Sequence, residues 1–153
     1  MEKKNRTKST QEGKMINNTT ISGFSFIKHG LTLEYPILES VKSIEPLCDE
    51  VIINVGFEME DCSKDDGTYE YLRDNLTGEK YKFIKSHWDP NIMSRGIILA
   101  QQTNIAMNAC KGKIGQYIQG DEAVHEDDLG LIEAGIKKMI DREDIEGLLY
   151  NYK

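Results

Sequence analysis

The chain has 153 residues and a formal net charge of -7, with 39% hydrophobic and 29% charged residues. This length suits one domain with a substantial core, and the acidity argues against a general nucleic-acid binder, because a phosphate backbone requires a basic face. No apolar run approaches the roughly 20 residues of a membrane helix, so we expect no transmembrane segment. The three cysteines lack CxxC spacing, which favours free thiols in a reducing compartment and a cytoplasmic location.

The first third of the chain changes abruptly from polar to apolar. Residues 1–19 are polar and partly basic, which predicts a disordered tail. A short apolar run then predicts a buried strand at 21–27. Pro36 suits the first position of a helix near 36–46, whose apolar residues recur on one face. The β-branched run that follows predicts a strand at 50–55 that is covered on both sides.

The middle of the chain alternates between helical and extended patterns. An acidic, polar loop at 56–67 leads to a predicted helix at 68–74. A third strand is expected at 81–86 and a fourth at 115–119, separated by a helix near 96–110.

The C-terminal part predicts one more helix and one more strand. Asp127 or Asp128 would cap a helix with apolar residues on one face. Residues 147–150 would then begin a fifth strand. Strands that alternate with helices predict a parallel, doubly wound α/β sheet whose ligand lies outside the carboxyl ends of the strands. The chain has neither a GxGxxG motif nor a Gly-rich lysine loop for phosphates.

Polar segments follow three of the predicted strands. Lys28 and His29 come after the first strand, although a lone histidine there is more often a turn residue than a ligand. Asp66, in an Asp-Gly-Thr sequence before a helix, has turn and capping chemistry as its simplest interpretation.

The third segment follows the fourth strand and is acidic. Asp121 and Glu122, with His125 close behind, are typical of an oxygen-rich site for a hard divalent cation. A second interpretation is a helix N-terminus, where acidic side chains favour the macrodipole. We assign the capping role to Asp127 and Asp128 and the functional role to Asp121.

Several segments occur in an order that resembles the family 2 glycosyltransferases of the GT-A fold, a Rossmann-like α/β fold. These segments are residues 21–28, 49–53, 66–68, 104–107 and 117–122. The resemblance covers 20–153, the whole predicted domain, and implies a mainly parallel sheet flanked by helices. It also implies that the fold is truncated after the fifth strand.

The resemblance implies an enzyme that transfers a sugar from a nucleotide-diphosphate sugar to an acceptor hydroxyl, with Mg or Mn as the divalent metal. Asp121 stands where the family's D-x-D motif has its metal-binding Asp, and Gln119 stands where the motif has its first Asp. Gln119 can bond a ribose hydroxyl but brings no charge, so Glu122 is a further expected metal ligand. Lys28 and His29 belong to the loop expected beside the donor.

The family pattern is matched at one further position and missed at two. Asp66 stands in place of the Asp of the family's Ser-x-Asp-Gly-Thr loop, which implies contact with the nucleotide. The acidic residue that reads the base is missing, because Val55 and Gly56 stand there. The catalytic base lies beyond the fifth strand in the family, so no catalytic residue is assigned within this chain. The alternative is a non-catalytic module that binds a nucleotide or a cation.

Overall fold

A computed structural model describes residues 16 and 18–149 as four strands and four α-helices, with two short 3₁₀ turns. In chain order the elements are β1 (Ile21–Ile27), α1 (Ile37–Ile44), the turn Glu45–Leu47, β2 (Glu50–Phe57), α2 (Thr68–Asn75), β3 (Tyr81–His87), α3 (Arg95–Asn108), β4 (Ile114–Tyr117), the turn Glu126–Asp128 and α4 (Leu129–Asp141). The predicted α/β class is confirmed.

The four strands form one sheet in the order β3-β2-β1-β4, and every neighbouring pair is parallel. The chain moves outward from β1 through β2 to β3 and then returns to the other side of β1 for β4. The strand order therefore reverses between β1 and β4. In open α/β sheets, a crevice forms at such a switch point, outside the carboxyl ends of the two strands.

The sheet is covered on both faces. On one face α1, α2 and α4 pack over side chains such as Ile27 and Ile53, and on the other α3 packs over Phe24 and Ile52. Every residue of β2 is buried, which explains its near-continuous apolar sequence, since alternate side chains enter two different cores. The expectation of a strand covered on both sides is confirmed.

A buried polar network joins α3 to the sheet. The Asn54 amide nitrogen donates to the Gln102 side-chain oxygen at 2.9 Å, and the Gln102 amide nitrogen donates to the carbonyl of His87 at 3.0 Å. The Ser86 hydroxyl lies 2.7 Å from the Asn54 side-chain oxygen. Asn54 and Gln102 are both fully buried. Because a buried amide without partners is costly, this network restricts how α3 can sit on β2 and β3.

A second polar cluster lies at the amino edge of the sheet. The Glu50 carboxylate accepts hydrogen bonds from the Ser22 hydroxyl and the Lys111 N–H, both at 2.6 Å, and pairs with Lys82. Burial alone would raise the pKa of Glu50, but these three partners outweigh burial and lower the pKa to about 2. The carboxylate is thus held ionised at neutral pH, at the edge opposite the switch point.

The C-terminal predictions need two corrections. Residues 147–149 are not in a strand, and residue 150 lies outside the described part, so the expected fifth strand is wrong for the residues that can be assessed. Asp128 stands at the N-terminus of α4, but its side chain does not cap that helix. Instead, the His125 ring nitrogen accepts the N–H of Asp127 at 3.2 Å.

The expected tail falls mostly on residues 1–15 and 17, which lie outside the described residues. Ile16 is described and is buried in the main core, and its carbonyl accepts the N–H of Thr19 at 2.9 Å. Across the described residues, no helix combines the length and the apolar character needed to cross a bilayer.

We predict that Ile53→Asp strongly destabilises the domain, by roughly 3–5 kcal/mol, because a buried unpaired carboxylate must be desolvated or neutralised. The matched control is Ile97→Asp, since Ile97 is 62% exposed on α3. Chemical denaturation of both variants measures the free energy of unfolding. Equal midpoints for the two would contradict the central position of β2.

Candidate functional site

An open cleft of about 370 Å³ lies at the carboxyl edge of the sheet, at the switch point between β1 and β4. Its lining comprises Phe26, Ile27, Lys28, His29, Leu33, Tyr35, Trp88, Leu99, Gln119, Gly120 and Asp121. Four of the residues singled out from the sequence, Lys28, His29, Gln119 and Asp121, therefore lie around one cavity.

The turn after β4 approaches β1 closely because it contains a glycine. A side-chain carbon on Gly120 would lie only 3.1 Å from Ile27. The turn is also tied to α1, since the Ser40 hydroxyl donates to the carbonyl of Gln119 at 2.6 Å. This packing brings Asp121 beside the residues that follow β1, as the parallel topology requires.

Lys28 and His29, which follow β1, lie beside an aromatic and an acidic neighbour. The Lys28 ammonium lies 5.3 Å from the centre of the Trp88 ring, and burial lowers the pKa of Lys28 while Glu58 partly opposes that shift. His29 adopts a left-handed backbone conformation, with a φ of 54°. Its Nε2 atom lies 3.6 Å from Glu58, which also pairs with Lys64 at 2.7 Å.

Glu58 stands directly after the second strand, at the position where the predicted strand end had placed Val55 and Gly56. The β-branched run predicted an end at residue 55, but β2 continues to Phe57 and Glu58 comes directly after it. Gly56 and Phe57 gave no sequence signal for this extension, which depends on pairing with Ser86 and His87 of β3.

The rest of the lining is largely apolar, and sequence reasoning missed it. Leu33, Tyr35 and Leu99 are large side chains that remain 39–51% exposed while lining the cleft. Trp88 directly follows β3, and its ring centre is 6.1 Å from that of Phe26. An aromatic residue at a strand's carboxyl end is the one signal that could have identified Trp88.

Asp66 does not line the cleft but supports one of its walls. One carboxylate oxygen accepts the N–H and the hydroxyl of Thr68, and the other accepts the N–H of Thr32 at 2.9 Å. These hydrogen bonds outweigh burial and lower the pKa of Asp66. They tie the start of α2 to the loop that carries Leu33 and Tyr35, so the structure supports the turn and capping interpretation. Contact with a nucleotide stays a prediction.

The acidic residues after β4 do not all lie at the cleft. Asp121 is exposed and lines the cleft, whereas Glu122 accepts the N–H of Gln119 at a long 3.4 Å and is not part of the lining. His125 is engaged in the turn before α4. No group of three or more His, Cys, Asp or Glu side chains in residues 16 and 18–149 forms a metal cage. Of these carboxylates only Asp121 lines the cleft, and one carboxylate together with a ligand's phosphates is a mode in which proteins bind Mg.

Comparison of the chain with models of known protein families, with curated proteins and with solved structures found no match. Fold and site together define an α/β protein with a parallel sheet and a cleft at its topological switch point. The assignment to family 2 glycosyltransferases stays a prediction.

We predict that Asp66→Ala lowers the free energy of unfolding by about 1–2 kcal/mol, because it removes the acceptors of a helix start and of a neighbouring loop. Amide hydrogen exchange should also accelerate at Thr32 and Leu33. Asp74→Ala is the control, since Asp74 pairs with the adjacent Arg73 on the exposed face of α2. Unchanged exchange in the Asp66 variant would show that its carboxylate does not hold this loop.

Proposed function

We propose that the cleft binds a nucleotide-diphosphate sugar and that the chain is the donor-binding domain of a glycosyltransferase, which transfers the sugar to an acceptor hydroxyl. The observation that carries this proposal is the convergence of Lys28, His29, Gln119 and Asp121 on one cavity at the switch point. Such crevices are where open parallel sheets bind nucleotides.

The size of the cleft supports a small-molecule ligand. Its volume of about 370 Å³ falls within the range of roughly 300–1,000 Å³ typical of ligand pockets. The mixture of an apolar lining with a few polar groups also follows that pattern. Gln119 offers an amide that can donate to, or accept from, a ribose or sugar hydroxyl.

The charges in the cleft fit a diphosphate when a divalent ion accompanies it. Lys28 supplies one positive charge, while Asp121 would repel phosphate oxygens. A Mg or Mn ion on Asp121, with Glu122 as a further ligand, would neutralise that repulsion and stabilise the departing diphosphate. Lys28 would contact the phosphates from the β1 side, and Asp121 would hold the ion that contacts them on the β4 side.

The second candidate is a module that binds a nucleotide without catalysis. It is favoured by Asp66, the expected nucleotide contact of the enzyme, whose two oxygens are engaged within the fold. The two candidates differ in turnover. Only the enzyme releases a nucleoside diphosphate when acceptor hydroxyls are supplied.

We predict that calorimetric titration with UDP-, GDP- and dTDP-sugars detects binding that strengthens when Mn is added. Asp121→Asn keeps the shape and removes the charge, so it should abolish the metal-dependent part of the affinity without changing the melting temperature. Lys28→Met should weaken binding roughly tenfold with or without metal, because it removes a partly buried phosphate contact. Asp127→Asn and Lys42→Met are matched controls, since neither residue lines the cleft.

Equal binding in the presence of a chelator, or an Asp121→Asn variant that behaves as wild type, would show that the metal role is wrong. Absence of binding by every nucleotide sugar at millimolar concentration would overturn the proposed function itself.

A further inference from the structure

Trp88 occupies a distinctive place in the cleft. It is the only tryptophan in the chain, and it lines both the cleft and a second cavity of about 300 Å³ on the side of α3. Leu99 of α3 borders both cavities as well. The indole therefore lies between two open cavities and is not part of the core.

The position of Trp88 is fixed by its backbone, by one aromatic neighbour and by the space that a glycine leaves. Its backbone N–H donates to the carbonyl of Phe57 at 2.8 Å, and its ring packs against Phe26. Gly56 leaves the space that the ring needs, since a side-chain carbon there would lie 3.1 Å from the indole and 3.2 Å from Lys28. A ring fixed in advance loses little conformational entropy when a ligand stacks on it.

The pairing of this ring with Lys28 points to a ligand with two chemical features. The Lys28 ammonium lies 5.3 Å from the centre of the indole ring, so a positive charge and an aromatic surface are neighbours in the cleft. A sugar phosphate would match the charge but offer the ring only C–H groups, while an uncharged aromatic molecule would match the ring and not the charge. A nucleotide offers a planar base and an anionic phosphate together.

We propose that Trp88 is the stacking platform for the nucleobase of a nucleotide whose phosphates contact Lys28. This inference rests on the proposed function and extends it, because it assigns the base to the β3 side of the cleft. Stacking on an aromatic side chain uses the π face that every base has. Trp88 therefore contributes affinity for nucleotides as a class.

The test uses Trp88 as its own probe. Saturating ADP and UDP should each quench the tryptophan fluorescence of the whole chain, because the base contacts the single indole, whereas inorganic pyrophosphate should bind without comparable quenching. Measured by calorimetry, Trp88→Leu should lower the affinity for ADP and for UDP by roughly 5- to 100-fold and leave the affinity for pyrophosphate unchanged. Trp88→Phe keeps an aromatic face and should recover most of the loss.

Tyr71→Leu is the matched control, because Tyr71 is an exposed aromatic residue on α2 away from the cleft lining, and its nucleotide affinity should equal that of wild type. If ADP and UDP bind wild type, and both Trp88→Leu and Trp88→Phe bind them with the affinity of wild type, the stacking role is wrong and the proposed function stands. If Trp88→Leu lowers the affinity for pyrophosphate as much as the affinity for ADP, the ring only positions Lys28, and the stacking role is wrong in that case too. If no nucleotide binds wild type, both proposals fail together.

Discussion

The burial of β2 on both faces is the constraint on which the rest of the structure depends. A strand whose alternate side chains all avoid water needs a cover on each side, and parallel neighbours require crossover connections that supply those covers. Because each neighbouring pair in the sheet is parallel, β1 to β4 all end at the same edge. The return of the chain to the far side of β1 then opens the crevice in which the cleft lies.

Buried polar groups determine how the covering elements sit on this sheet. The hydrogen bonds of the Asn54–Gln102 pair hold α3 in its position over β2 and β3. That position sets Leu99 beside Trp88 and so shapes one side of the cleft. Asp66 acts similarly on the opposite side, where it ties the loop containing Leu33 and Tyr35 to α2. The cleft is thus defined by contacts that lie mostly outside it.

Much of this arrangement was predictable from the sequence, because periodicity and β-branched runs report local burial. The convergence of Lys28 with Asp121 followed from topology alone, since both come after strands of one parallel sheet. The sequence shows an aromatic residue after the third strand, but the place of the Trp88 ring against Phe26 was not predictable, because it depends on the gap left by Gly56 in another strand. Asp66 could be recognised as a turn residue, but its bond to Thr32 spans 34 residues. The apolar run at 147–149 resembled a strand, yet strand formation needs a partner that local sequence does not specify.

We propose that this protein binds a nucleotide at the carboxyl edge between β1 and β4. The most direct measurement is a ¹H–¹⁵N NMR titration of the whole chain with UDP and Mg, followed residue by residue. We expect saturable shifts confined to the cleft, at the amides of Lys28, His29, Gly120 and Asp121 and at the Trp88 indole. Shifts centred on the amino edge around Glu50 and Lys111, or no saturable shifts at all, would contradict it.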